Sequence, residues 1–200
     1  MSIISRGFKG RRRDVDPSRV PPGQYTTDDF PVLSAGPTPR TRLEEWTFSV
    51  RGDDRVLRSW TWEEMGNLPQ EEVTVDVHCV TKWSKLDTRW VGVSVDTLLE
   101  GLGASSGFVM AWSDGGYTTN LPLADVTEGK AWVATTFDGE PLEPRHGGPA
   151  RLLVPHLYFW KSAKWVRGLE LMEADQPGFW ERYGYHNHGD PWLEQRYSGD

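Results

Sequence analysis

Val73-Thr74-Val75-Asp76-Val77-His78-Cys79 alternates apolar and polar residues with a period of two. That is the pattern of a strand with one face on a core. It puts Cys79 on the apolar face and His78 on the opposite one. The alternation stops in Val80-Thr81-Lys82-Trp83-Ser84, so the thiol sits at a strand end, where a side chain can enter a cleft while the sheet holds its backbone. Short runs of the same kind lie on either side. Trp46, Phe48 and Val50 precede a Gly52-Asp53-Asp54 turn, and Phe108 to Trp112 leads into Ser113-Asp114-Gly115-Gly116. Ala131 to Phe137 ends at Asp138-Gly139, and Arg151 to Pro155 and Lys164 to Leu171 are further strand candidates.

Helix signals are few. Thr61-Trp62-Glu63-Glu64 is a capping box in front of Met65 and Leu68. Ser94 caps a stretch with Val95, Leu98, Leu99 and Leu102 on one face, which stops at Gly101–Gly103. Many short strands with a few short helices predict an α+β fold: one mixed, strand-rich domain.

Composition agrees with that size and class. Two hundred residues suit one domain. Apolar residues are only 37%, but 11 tryptophans and 7 phenylalanines supply large buried area per side chain. With 21 glycines and 14 prolines, short elements joined by many turns are expected. The net charge of −7 argues against nucleic-acid or acidic-membrane partners. A single cysteine excludes an intrachain disulfide framework and a cysteine-only zinc site.

Residues 1–23 read as a flexible basic leader, with Arg6, Lys9, Arg11, Arg12, Arg13 and Arg19 against Asp14 and Asp16. Behind those charges the chain is polar and proline-broken, where an export signal needs roughly 7–15 apolar residues. No segment has the roughly 18 apolar residues of a membrane span, and a cytoplasmic location is expected. Residues 24–200 form the folded domain, including an aromatic tail around Gly178-Phe179-Trp180-Glu181-Arg182-Tyr183-Gly184-Tyr185-His186 that either covers the mouth of a site or closes the core, the second being favoured.

Two constellations carry chemistry. Cys79 is either a small core hydrophobe or a nucleophile or soft-metal ligand. From Pro144 to Gly168 the chain has Arg145, Arg151, Lys161, Lys164 and Arg167 and no acidic residue, inside an acidic protein. Its glycines permit close backbone approach. Arg151 can grip a phosphate bidentately, Lys164 as a point charge, and Ser162 through its hydroxyl. The alternative is an ordinary Arg/Lys surface on two strands. The spacing fits neither a Walker loop nor GxGxxG, so no nucleotide motif is supported. His186 and His188 suit hydrogen bonding better than a metal, since a third ligand is not evident. Two rivals follow from these residues. One is a Cys–His hydrolase pairing Cys79 with His146 or His156; the other is a non-catalytic, aromatic-rich ligand-binding module.

The two constellations occur together in one family. Cys79-Val80-Thr81-Lys82-Trp83-Ser84 after an alternating strand, then His146-Gly147-Gly148-Pro149-Ala150-Arg151-Leu152-Leu153-Val154-Pro155 and Lys161-Ser162-Ala163-Lys164-Trp165, resemble the molybdopterin-binding oxidoreductase domain of the sulfite oxidase family. The likeness runs from about Asp29-Phe30-Pro31-Val32 to Trp165-Val166. It is nearest to the short, haem-free bacterial branch related to the methionine-sulfoxide reductase catalytic subunit. The resemblance implies one molybdenum–molybdopterin per chain, with Cys79 as the metal ligand. It implies Arg151, Ser162, the backbone of Ala163 and Lys164 at the pterin phosphate, and His146 against the pterin. Asp28, Asp29 and Ser113 fall near further cofactor-contacting positions. The implied reaction is two-electron oxygen-atom transfer on a small sulfur-containing or related oxo substrate, with electrons exchanged through a separate carrier. Sulfite oxidases carry an arginine shortly after the ligand cysteine. Here that stretch is Lys82-Trp83-Ser84-Lys85, which argues against sulfite. The substrate itself, the direction of reaction and the oligomeric state stay open at this level.

Overall fold

The computed structural model describes residues 15–52, 55–103 and 106–200. In them the chain forms β1 (Tyr25–Thr26), β2 (Thr47–Gly52), β3 (Arg55–Thr61), α1 (Trp62–Gly66), β4 (Glu71–His78), β5 (Trp83–Ser94) and α2 (Val95–Leu99). It continues with β6 (Phe108–Ser113), β7 (Thr118–Pro122), β8 (Trp132–Phe137), β9 (Glu140–Pro141), β10 (Arg151–Leu153), β11 (Val166–Met172) and α3 (Phe179–Arg182). The Asp53-Asp54 turn and the basic residues Arg6 to Arg13 lie outside the described residues.

Two mixed sheets result. In the first, β5 is central, pairing with β1 in parallel and with β4 and β8 antiparallel, while β8 continues to β9 and β10. The second runs β3-β2-β11-β6-β7, with β11 parallel to β2 and its other pairs antiparallel. Between the sheets lies a core that includes Trp46, Phe48, Val50, Val93, Val109, Leu121, Val133, Leu152 and Leu169. The two helix starts are the ones the sequence marks. Thr61 and Glu64 exchange the hydrogen bonds of a capping box at α1, and the Ser94 hydroxyl accepts from the Thr97 N–H at α2.

A second apolar cluster sits on the other side of the first sheet and is what positions the site. It contains Val77, Cys79, Trp83, Trp90, Trp132, Leu153 and Phe159, with Phe30 packed against it. The alternation of β4 therefore delivers Cys79 as expected. The opposite face is covered too: His78 is buried, its ring 6.1 Å from that of Trp192 in the tail. β5 carries an irregularity against β4 near Asp87, whose φ is 54°. There Asp76 accepts from the Asp87 N–H at 2.9 Å and holds the Arg19 guanidinium through both oxygens, at 2.6 and 2.9 Å. Arg19 is the basic residue of the N-terminal segment that falls among the described residues, and it is anchored to the sheet.

Candidate active site

Cys79 leaves β4 at the corner of a tight turn into β5. Its N–H donates to the Trp83 carbonyl at 2.8 Å, and its carbonyl accepts from the Lys82 N–H at 2.9 Å and from Gln24 Nε2 at 3.1 Å. The backbone is fixed, and the side chain faces a cavity of about 700 Å³. The thiol lies 3.2 Å from Thr81 Oγ1. Burial pushes its pKa up, while Thr81, Arg151 and Lys164 pull the other way.

The loop before β10 brings the basic segment to the same cavity. Gly147 has φ +111°, and a Cβ on Gly148 would lie 1.8 Å from the Leu142 carbonyl oxygen. Only glycines let the turn pass this close to the chain. The turn sets His146 and Arg151 on the cavity wall, and the segment after the Phe159–Lys161 turn adds Ser162, Ala163 and Lys164.

Arg151 is buried, with Nη1 donating to the His146 carbonyl and Nη2 to the Ser162 carbonyl, each at 2.7 Å. Among the described residues its Nε has no partner, and no carboxylate forms an ion pair with it. Burial lowers its pKa to about 9, the direction expected of a cation without a counter-charge. Lys164 Nζ donates to the carbonyls of Leu33 and Arg145, each at 2.8 Å. Burial and then the Arg151 charge bring it to about 8. Ser162 Oγ accepts from the Val154 N–H at 2.9 Å, which leaves its own proton to donate. His146 is held neutral, at about 4, chiefly by burial, and stacks on Phe30 with ring centres 4.1 Å apart.

Six of the nine expected site residues thus share one cavity: Cys79, His146, Arg151, Ser162, Ala163 and Lys164. Ser113, Asp28 and Asp29 do not line it. Ser113 turns into the sheet with its hydroxyl buried, and its neighbour Asp114 takes the wall position. Asp28 and Asp29 are exposed; the Asp28 carbonyl accepts from Lys85 Nζ at 2.6 Å, and the Asp29 N–H donates to Thr27 Oγ1.

Two further parts of the chain complete the wall, of which the first was not anticipated. The proline-rich stretch from Phe30 to Pro39 forms one side. Phe179, Trp180 and Tyr185 of the tail form another, with Tyr117 and Trp160. The tail therefore lines the cavity, the less favoured of its two expected placements, as well as covering the core. Tyr185 is near enough to Cys79 for the thiolate charge to add to the rise of its phenol pKa, after burial and Tyr197.

The other histidines are engaged elsewhere. His156 Nε2 and His188 Nε2 bind the two oxygens of Asp125, at 3.2 and 2.9 Å. His186 Nδ1 accepts from the N–H groups of His188 and Gly189. Among the described residues no imidazole stands at hydrogen-bond distance from Cys79, so the geometry of a thiol–imidazole pair is missing.

One cavity thus brings together a thiol, a guanidinium and an ammonium, and among the described residues neither cation forms an ion pair with a carboxylate. The family model for the oxidoreductase molybdopterin binding domain matches residues 35–180. The chain belongs to that molybdopterin-binding family. Within it, the chain is 45% identical over 199 residues to the uncharacterized oxidoreductase YuiH of Bacillus subtilis (strain 168), covering 96% of this chain and 100% of that one. The putative protein-methionine-sulfoxide reductase subunit YedZ1 of Azospira oryzae is 29% identical over 64% of this chain and 49% of its own length. The catalytic subunit MsrP of the protein-methionine-sulfoxide reductase of Campylobacter jejuni is 23% identical over 83% of this chain and 61% of its own. The chain thus spans only about half to three-fifths of those two longer relatives. The fold is shared with the sulfane dehydrogenase SoxCD of Paracoccus pantotrophus, at a TM-score of 0.62 and 20% identity, over 74% of this chain and 42% of that one. This molybdopterin-binding oxidoreductase is therefore a strand-rich domain of the sulfite oxidase type. Among its described residues no helix is long and apolar enough to cross a membrane.

Proposed function

We propose that the cavity holds one molybdenum–molybdopterin and performs two-electron oxygen-atom transfer on a small, uncharged sulfur compound. A separate carrier exchanges the electrons. The observation that carries this reading is Arg151: a buried guanidinium that, among the described residues, has a bare Nε and no carboxylate partner, on the wall of the cavity that Cys79 enters. A buried charge of this kind is costly unless an anion completes it, and a pterin phosphate supplies one.

The residues fit the group. Arg151, Lys164 and Ser162 would hold the phosphate, the backbone of Ala163 would close the pocket, and neutral His146 with Phe30 would face the pterin. Cys79 would give the metal its protein thiolate, and Arg151 and Lys164 favour the thiolate form. When bound, the group supplies a two-electron redox couple and a transferable oxygen. In either direction one oxygen atom, two electrons and two protons are exchanged, with water as the source or sink of the oxygen. The chain's own share is orientation and exclusion of water. Trp83, Trp160, Phe179, Trp180, Tyr117 and Tyr185 make much of the remaining wall aromatic, and Asp114 adds a carboxylate to it, which suits an uncharged sulfur centre better than an oxyanion such as sulfite.

Metal analysis of protein made in a host that produces the cofactor tests the reading. One molybdenum per chain, lost in Cys79→Ala, is the expected result. Wild-type protein without molybdenum from such a host refutes it.

A further inference from the structure

A buried carboxylate helps to fasten the tail side of the cavity. Glu181, on α3, accepts at Oε1 from Lys161 Nζ at 2.7 Å, from Trp160 Nε1 at 3.0 Å and from Thr119 Oγ1 at 3.2 Å. Its side chain is 2% exposed and that of Lys161 is 0% exposed. Lys161 Nζ also donates to the carbonyls of Asn120 at 2.8 Å and Asn187 at 2.6 Å. One cluster therefore ties together β7, the Phe159–Lys161 turn, α3 and the loop that follows it.

Chain connectivity makes this cluster a register between two walls. Lys161 immediately precedes Ser162-Ala163-Lys164, the segment assigned to the phosphate. Glu181 immediately follows Trp180 and lies on α3 with Phe179, ahead of Tyr185. The Tyr185 ring lies 5.2 Å from that of Trp160 and 5.0 Å from that of Trp180. Glu181 and Lys161 are absent from the cavity wall itself. If the tail needed only to be sealed down, an apolar pair of the same volume would serve as well or better. A buried pair with several directional hydrogen bonds instead selects one arrangement.

We infer that Glu181 is a positioning residue, which sets the aromatic wall of Trp160, Phe179, Trp180 and Tyr185 against the phosphate-binding segment. This rests on the cavity being the cofactor and substrate site proposed above, and adds to it a residue that touches neither.

Glu181→Gln keeps an amide oxygen for Trp160 and Thr119, and Lys161 keeps its carbonyl acceptors, so the variant retains the means to fold. Thr119→Val, which removes one of the three donors to Glu181 and a contact to Tyr117, is the milder companion should Glu181→Gln fail to accumulate. In Glu181→Gln the amides of residues 179–186 should exchange with solvent about tenfold faster, with residues 151–153 unchanged. Molybdenum loading should match the wild type. With dimethyl sulfoxide as probe and a reduced viologen dye as donor, KM should rise about fivefold while kcat stays within about twofold. Thr119→Val should shift the same quantities by less. Unchanged exchange at 179–186, equal acceleration in both segments, or a loss of kcat at constant KM each overturns the inference. Wild-type protein lacking molybdenum refutes the cofactor reading instead, and the exchange comparison then decides the positioning role alone.

Discussion

The guanidinium carbon of Arg151 lies 4.0 Å from the centre of the Phe159 ring. Buried arginines are ordinarily paired with carboxylates; this one rests on an aromatic face, with two nitrogens on carbonyls and the third bare. Cation–π contact and neutral acceptors offset part of the desolvation cost, and the remainder is available to an incoming anion. Arg151→Met should therefore melt at the same temperature as the wild type, or higher, when both are free of cofactor. It should also lose most of the stabilisation that inorganic phosphate gives the wild type. A charge-assisted, forked contact is worth about 1.5–3 kcal/mol, so phosphate affinity should fall about tenfold or more. Thermal melts across a phosphate titration measure both, and an unchanged phosphate response would show that the anion sits elsewhere.

The Cys79 thiol should be a slow nucleophile in cofactor-free protein. Burial raises its pKa and only the thiolate reacts, so the midpoint of its alkylation rate against pH should lie above the ordinary value of about 8.5. Arg151 and Lys164 lower it, so Lys164→Met should move the midpoint further up. A thiol–imidazole hydrolase predicts the reverse, a midpoint well below 8. Iodoacetamide kinetics from pH 6 to pH 10 separate the two.

The tail should be held most firmly between the titrations of Asp125 and His188. His188 and His156 hold the Asp125 carboxylate well below the usual range, and Asp125 in turn raises the His188 pKa. The raised histidine contributes stability that is complete below about 6.5 and is lost as pH rises through its folded pKa. The depressed aspartate contributes stability above about 3.9 that is lost only as pH falls towards its folded value. His186, Asp190 and Gln195 border the cluster. The His188 side chain is 39% exposed, so solvent screening keeps the contribution to no more than about 1 kcal/mol. Urea denaturation should find His188→Gln less stable than the wild type by that amount at pH 6 and nearly equal at pH 9. A difference that grows with pH would contradict the assignment.

What the sequence made legible followed from local periodicity and from chain order. The β4 alternation placed Cys79, the caps placed α1 and α2, and the acid-free stretch from Pro144 to Gly168 marked the cationic side of the cavity. What it hid depended on contacts far apart in the chain. β5 went unseen because its buried positions include the polar Ser84 and Thr88, one on each face, so a hydropathy pattern does not register them. Ser113 was put near the site by the family resemblance alone. The period of two sends Ser113 into the sheet and leaves Asp114 on the wall, where Thr41 Oγ1 donates to it at 2.7 Å. The tail has no clean period, and its place at the cavity is set by Glu181, Asp125 and Arg196 meeting partners on other elements.

Lys164 joins the anion site to the proline-rich wall, and its loss should be felt in both. Two of its three donors are spent on the Leu33 and Arg145 carbonyls, leaving one for a ligand oxygen. The stretch between Leu33 and the Thr41–Asp114 hydrogen bond contains three prolines or glycines among exposed residues and otherwise bonds within itself, through Ser34 Oγ to the Gly36 carbonyl. Removing the ammonium therefore releases that stretch at its N-terminal end. Lys164→Met should take up less cofactor, by about tenfold, and residues 33–38 should become more sensitive to a broad-specificity protease than in the wild type. Lys164→Arg restores a cation but not the compact reach to two carbonyls, so it should recover part of the loading and little of the protection. Loading lost with protection intact would mean that the wall is held by the Phe30–His146 stack alone; protection lost with full loading would remove Lys164 from the anion site.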